Sequence, residues 1–461
     1  MFAAPVVIAS ATCAAVQGTC CVFSSACCFG KAIAANGQKA GRVASVWVLI
    51  VGMLVALVGR THNCGAKLAL PSTYLPWTIA SVNGEDCADG LDIPCSETDF
   101  VLRIGAATAT FFVLHGILCQ LSATFVNSFW AMKLLVYVAL LGILLIVPIE
   151  ALNNFILLAI LKLAAIAFLT FQVLIFIEWT EGFNSSLVAL DDNWALRGGR
   201  CQEWGRWRNV LLSLDIVFGG AALVGCACIV YFFHDCSART DWLASGCFIS
   251  IVGFTTIQLS DASEDQKGNL FTSTIVACYV VHLCFAAAAA DPLNSPDVCP
   301  SVPPSVSSLV EPGLGVSVYL SMLFVVASVT MALELREFDS GDDTSTSSSN
   351  GSAGQQKFLH RRSLENVLTG TAADDYGAVS IENIEDGPMK DPASAPTPPP
   401  RDVAFNVLMT LASCCWTMLL CGWGSTGQFA LWLNASLSWV AALLYLWTLL
   451  APHLFPDRDF S

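Results

Sequence analysis

The side chains able to do chemistry in this chain fall into two groups: ionisable residues set in apolar runs, and cysteines. Lys133, Glu150, Lys162, Glu178 and Asp215 lie within or at the ends of such runs. If the runs cross a bilayer, each buried charge costs roughly 2.5–3.5 kcal/mol on insertion scales and needs a reason. Lys162 sits about nine residues inside its run, roughly 13 Å along a helix. It reads either as a polar step for lipid headgroups or as an ion-paired or snorkelling cation. Glu178, at the far end of the same run, reads as a headgroup or bundle-coupling contact. Lys133 and Glu150 bracket one run as interfacial anchors, and Asp215 is expected to pair locally with Arg206 and Arg208. His115 and His282 are lone histidines in apolar surroundings, where core hydrogen bonding is favoured over a proton relay.

The 20 cysteines divide by position. Cys64, Cys87, Cys95 and Cys299, with Cys236, fall where an oxidising compartment would allow disulfides. Their pairing is not readable from sequence, although spacing favours Cys87–Cys95. Cys20, Cys21, Cys27 and Cys28 have no nearby His and no zinc-like spacing, so S-acylation competes with apolar filling. No metal site and no cofactor is expected. None of the six histidines begins an H-x4-D motif, and D-G-x2-A-R, G-x-S-x-G and HExxH are absent. An enzyme is therefore not expected.

The elements that position these residues follow from composition. The chain has 461 residues, 55% of them hydrophobic and only 12% charged. Soluble proteins carry about twice that share of charge, so an ordinary soluble domain is excluded. A net charge of −15 also excludes nucleic acid as a partner, since that needs clustered Lys and Arg.

A hydrocarbon core about 30 Å thick takes roughly 20 apolar residues in a helix. Ten runs qualify: Val43–Val58, Phe100–Leu121, Met132–Ile149, Phe155–Trp179, Val210–Phe232, Trp242–Leu259, Phe271–Ala290, Gly315–Leu333, Val403–Trp423 and Leu431–Leu450. Phe2–Phe29 is uncharged but poor in Leu and Ile; it is a marginal eleventh span or a membrane-associated tail. The expected fold is all-α and polytopic. Placing the segment before Val43 on the cytoplasmic side puts 16 of the 21 basic residues there, as the positive-inside rule requires.

Four regions result: a Cys-rich segment over residues 1–42, eight spans over 43–336, a polar loop over 337–402 and two spans over 403–461. Outer loops cover residues 60–99 and 291–312. The loop Glu337–Asp402 holds 12 acidic and five basic residues with few aromatics, and is expected to be disordered. Within it, Tyr376 and Val379 fit a tyrosine sorting signal that endocytic adaptors would read. Arg361-Arg362-Ser363 fits a basic-directed kinase site.

Several segments together resemble the serine incorporator (Serinc) family. Ser436-Leu437-Ser438-Trp439, Leu444-Tyr445-Leu446-Trp447 and Asp457-Arg458-Asp459-Phe460 are similar to that family's closing helix and "NRDF" ending. Asn127-Ser128-Phe129-Trp130 with Lys133, Pro148 and Glu150 resembles its "NGFW…K…IPE" helix. Gln172 through Glu178-Trp179 to Asn184-Ser185-Ser186 resembles its long diagonal helix, with Glu178 where Asp is more usual. Asn269-Leu270, Ser273, Tyr279 and Asp291-Pro292 look like a further shared helix, and the Cys-rich start also fits.

The resemblance implies two helical bundles bridged by a long tilted helix, here roughly Asn153–Thr180. It also implies phospholipid binding and scrambling, and support of serine incorporation into phosphatidylserine and sphingolipids. The expected partners are membrane phospholipids and lipid-synthesis enzymes; the expected location is the plasma membrane or an endomembrane. Two other functions stay open at this point: a secondary transporter of serine or another small solute, with Lys162, Glu178 or Asp215 in its path, and a trafficking scaffold acting through residues 337–402.

Overall fold

The computed structural model describes residues 38–61, 95–121, 130–147, 152, 155–196, 206–234, 236–259, 270–294, 299, 315–342, 401–424 and 427–454. These form ten α-helices: α1 Gln38–Thr61, α2 Cys95–Leu121, α3 Trp130–Ile146, α4 Phe155–Leu196 and α5 Arg206–Phe233, then α6 Ala238–Leu259, α7 Leu270–Ala290, α8 Val316–Asp342, α9 Arg401–Leu420 and α10 Gly427–Leu454. Short 3-10 turns follow α7 and α9, at Pro292–Asn294 and Gly422–Gly424. Among the described residues there is no strand. Nine of the helices are long and apolar enough to cross a membrane, and α3 carries a shorter apolar stretch, Met132–Leu145. The chain is an all-α, multi-pass integral membrane protein, as its composition requires.

The helices end where backbone chemistry ends them. α3 stops ahead of Val147-Pro148 and α7 ahead of Asp291-Pro292, because a proline disfavours the α conformation of the residue before it. The turn between α9 and α10 is made by Gly422 and Trp423, both in the left-handed region at φ 59° and 63°. Only glycine adopts that region without strain, so Trp423 is held there by burial.

Two bundles form. α1, α2, α3 and α9 pack together, with α9 as the buried centre; α5, α6, α7 and α10 make the second, centred on α7. α4 touches α9 and α8 on one side and α7, α5 and α10 on the other, so it bridges them. One hydrophobic core runs through both, including Phe112, Trp416, Phe168, Phe176, Tyr279 and Tyr445. Close approach of α2 and α9 depends on Gly105, because any Cβ there would occupy the position of the Thr417 side chain.

Two boundaries differ from the sequence expectation. α4 runs to Leu196 rather than ending near Thr180. Bilayer thickness limits the apolar run but not the helix, which continues past Glu181 with Leu187 still buried. At 42 residues it is about 63 Å long, roughly twice the hydrocarbon thickness. α8 likewise continues to Asp342, so its last residues fall in the segment expected to be disordered from Glu337. Leu335, Arg336 and Glu337 are good helix formers, and extending an existing helix is far easier than nucleating one.

Candidate functional site

The buried face of α4 is apolar: Leu161, Ala165, Phe168, Leu169, Val173, Ile175 and Phe176 all enter the core, with Gln172 among them. Its other side carries Lys162, Thr170, Glu178 and Glu181, each half-buried. At about 100° per residue these four spread over roughly 160° of the helix, with the buried Val173 and Ile177 between them. From Lys162 to Glu181 the row spans 19 residues, about 28 Å of helix, close to the thickness of the hydrocarbon core. Thr170 satisfies itself on the Ile166 carbonyl at 3.0 Å. The row therefore places a cation near one leaflet, two carboxylates near the other and a hydroxyl between them.

Both ends of the row meet α10. Lys162 Nζ lies 4.9 Å from the Phe429 ring centre, in the first turn of α10. That contact is a cation–π approach, an aromatic face lying beside the ammonium group. Three residues on, the Trp432 ring receives Arg239 of α6 at 5.9 Å. At the opposite end, the Glu181 carboxylate acts electrostatically on the buried Tyr445 hydroxyl. That hydroxyl accepts from Gln258 Nε2 at 3.1 Å. Asp215 takes a bond at 3.4 Å from the Thr274 hydroxyl of α7; the side chains of Arg206 and Arg208, its expected partners, lie outside the described residues.

Other polar groups in the spans hold helices together. Tyr279 donates to Gln172 Oε1 at 3.2 Å, and His282 Nε2 bonds Ser321 Oγ at 2.8 Å, where α4, α7 and α8 cross. His115 Nδ1 bonds Asn406 Oδ1 at 2.8 Å, linking α2 to α9. Both histidines thus make the core hydrogen bonds expected of them. Lys133, expected as an interfacial anchor, is 3% exposed, with Nζ 4.6 Å from the Trp130 ring centre. Arg103 caps α3: its Nη1 donates to the carbonyls of Leu144 at 2.8 Å, Leu145 at 2.9 Å and Val147, while Nε donates to Asp99 at 2.7 Å.

Cys299 forms a disulfide with Cys236, tying the segment after α7 to the start of α6. Cys119, Cys226, Cys247, Cys284, Cys414, Cys415 and Cys421 are outside disulfides among the described residues and are buried, as packing residues. Among the described residues no group of three or more His, Cys, Asp or Glu side chains could hold a metal ion. Cys20, Cys21, Cys27, Cys28, Cys64, Cys87, Glu150, Tyr376 and Val379 lie outside the described residues; Cys95 opens α2.

Sequence reasoning singled out Lys162 and Glu178 but missed Glu181, Tyr445 and the Asp99–Arg103 cap. The cap had a readable signal, an opposite-charge pair at i,i+4 at the start of an apolar run. Glu181 sits just past the apolar run, where carboxylates are ordinary, so nothing marked it.

Among the described residues ten helices, eight of them in two bundles that α4 bridges, define a polytopic membrane protein. The chain belongs to the serine incorporator (Serinc) family, whose family model matches residues 13–458. It is 22% identical over 392 residues to a protein named probable serine incorporator from Nematostella vectensis, covering 78% of this chain and 80% of that one. A probable serine incorporator from Monosiga brevicollis is 24% identical over 324 residues, 64% of each chain. Serine incorporator 5 of Rattus norvegicus is 22% identical over 359 residues, 73% of each.

Proposed function

We propose that this protein is a non-enzymatic translocator of phospholipids between leaflets, and that it thereby supports serine incorporation into phosphatidylserine and sphingolipids. The observation that carries the reading is the row Lys162, Thr170, Glu178 and Glu181 on the less buried side of α4. A headgroup crossing pure hydrocarbon loses its hydration with nothing in exchange, which is what makes unassisted crossing slow. A tilted helix offering a cation, a hydroxyl and carboxylates in sequence supplies partial compensation at each step while the acyl chains stay in lipid. Lys162 serves the phosphate and the two glutamates serve an ammonium group. That the relatives are named serine incorporators supports the link to serine.

The test is reconstitution into liposomes carrying fluorescent phospholipid, with dithionite added outside. Translocation bleaches both leaflets; bleaching that stops at the outer leaflet refutes the reading. Lys162→Leu and Glu181→Leu are each expected to slow the inner-leaflet phase at least fivefold, while Asn406→Asp, far from the row, tests for general damage through detergent stability. Uptake of labelled serine by the same vesicles in the absence of lipid movement would favour solute transport instead.

A further inference from the structure

The side of α10 turned away from α7 is aromatic along its whole length. Phe429, Trp432, Trp439 and Trp447, with Ser436 and Leu443, recur at helical spacing and are all exposed. Asn434, Ser438, Ala441 and Tyr445 on the opposite side are buried. The aromatic face covers 18 residues, about 27 Å, again the thickness of the hydrocarbon core. Tryptophan belongs at the membrane–water interfaces, where its N–H stays wet. Trp439 breaks that rule: it is 58% exposed and sits at the middle of the span Gly427–Leu450.

Two rings of this face already hold cations, Lys162 over Phe429 and Arg239 over Trp432. These come from helices on either side, α4 and α6, and reach rings only three residues apart. The first turn of α10 therefore presents two positive groups suited to a phosphate. Beyond them the same face offers indole rings suited to an ammonium group, since an indole face attracts quaternary and primary ammonium ions.

We infer that the exposed face of α10 recognises, at the Lys162 end of the path, phospholipids with an ammonium-bearing zwitterionic headgroup of the choline type: Arg239 and Lys162 hold the phosphate, and the Trp439 indole, further along the same face, takes the ammonium. The inference rests on the translocation reading and adds the headgroup class. It assigns Trp439 a recognition role that packing alone does not explain.

The experiment compares fluorescent phosphatidylcholine with fluorescent phosphatidylglycerol, which has the phosphate but no ammonium, in the liposome assay. Trp439→Leu is uncharged, so any change in the ratio of the two rates reports the ammonium contact and not the lipids' net charge. The ratio is expected to fall about fivefold in Trp439→Leu, the size of one exposed cation–π contact, and to be largely kept in Trp439→Phe. A ratio unchanged by Trp439→Leu overturns the inference while leaving translocation intact. An independent arm measures quenching of tryptophan fluorescence in the purified full chain by spin-labelled phosphatidylcholine or phosphatidylglycerol, with Trp439→Phe as the difference. Selective quenching by the choline lipid without transport supports recognition and refutes translocation; equal quenching by both lipids overturns recognition.

Discussion

Replacing Arg103 by Met removes the cap of α3 while keeping the volume of the side chain. Arg103 is 5% exposed and its Nη1 faces three carbonyls, at Leu144, Leu145 and Val147. That nitrogen carries two protons, so about two full charge-assisted bonds are lost, each contributing roughly 1.5–3 kcal/mol net. Asp99 also loses its partner at 2.7 Å, although at 27% exposure it keeps some access to water. Water at the helix end recovers part of the carbonyl bonding. The net cost is about 3 kcal/mol, more than a hundredfold in the folded-to-unfolded ratio. Asp99→Asn leaves the guanidinium on its carbonyls and is expected to cost only about 1 kcal/mol. The assay is unfolding in mixed micelles by graded addition of a denaturing detergent, read by thiol-reactive dye. The buried Cys119, Cys414, Cys415 and Cys421 lie in the same bundle and become labelled only as it opens. A shift below about 1 kcal/mol for Arg103→Met, or an equal cost for Asp99→Asn, would refute the assignment of Arg103 as a helix cap.

The same unfolding assay carries three further predictions. Ser321→Ala leaves His282 Nε2 buried without its 2.8 Å partner and is expected to cost about 1–3 kcal/mol, whereas Ser321→Thr should cost much less. Gly105→Ala pushes a Cβ into the Thr417 side chain and separates α2 from α9; a loss of about 1–3 kcal/mol is expected, with partial rescue by Thr417→Ala in a double-mutant cycle. Cys236→Ser opens a link between residues 63 apart, which chain entropy values at about 4 kcal/mol. If the Lys and Arg distribution orients the chain correctly, this disulfide faces outward and a membrane-impermeant phosphine will reduce it in sealed, right-side-out vesicles; resistance there with reduction after permeabilisation would invert the threading.

The membrane-spanning architecture was legible because the solvent dictates it. Lipid offers backbone groups no hydrogen bonds, so each crossing must be a helix of about 20 apolar residues, and such runs stand out in any window of sequence. All ten runs became helices, and both lone histidines found the core partners their surroundings demanded. Lys133 shows where that logic stops. Its place at the end of a run does not announce its burial or its contact with Trp130, which only the packing decides. Cys299 was a visible disulfide candidate, but the choice of Cys236 depended on how α6 and α7 meet.

The sequence by itself determined that the chain crosses a membrane repeatedly, roughly where it crosses, and that Lys162 needed a reason to be there. Tertiary structure alone decided which side of each helix is buried. A run of apolar residues with little amphipathic pattern does not announce its inner face, because lipid and protein interior are nearly equivalent solvents for Leu and Ile. Trp439 is one indole among 13 in the sequence, and only its outward placement on α10 makes it part of a site.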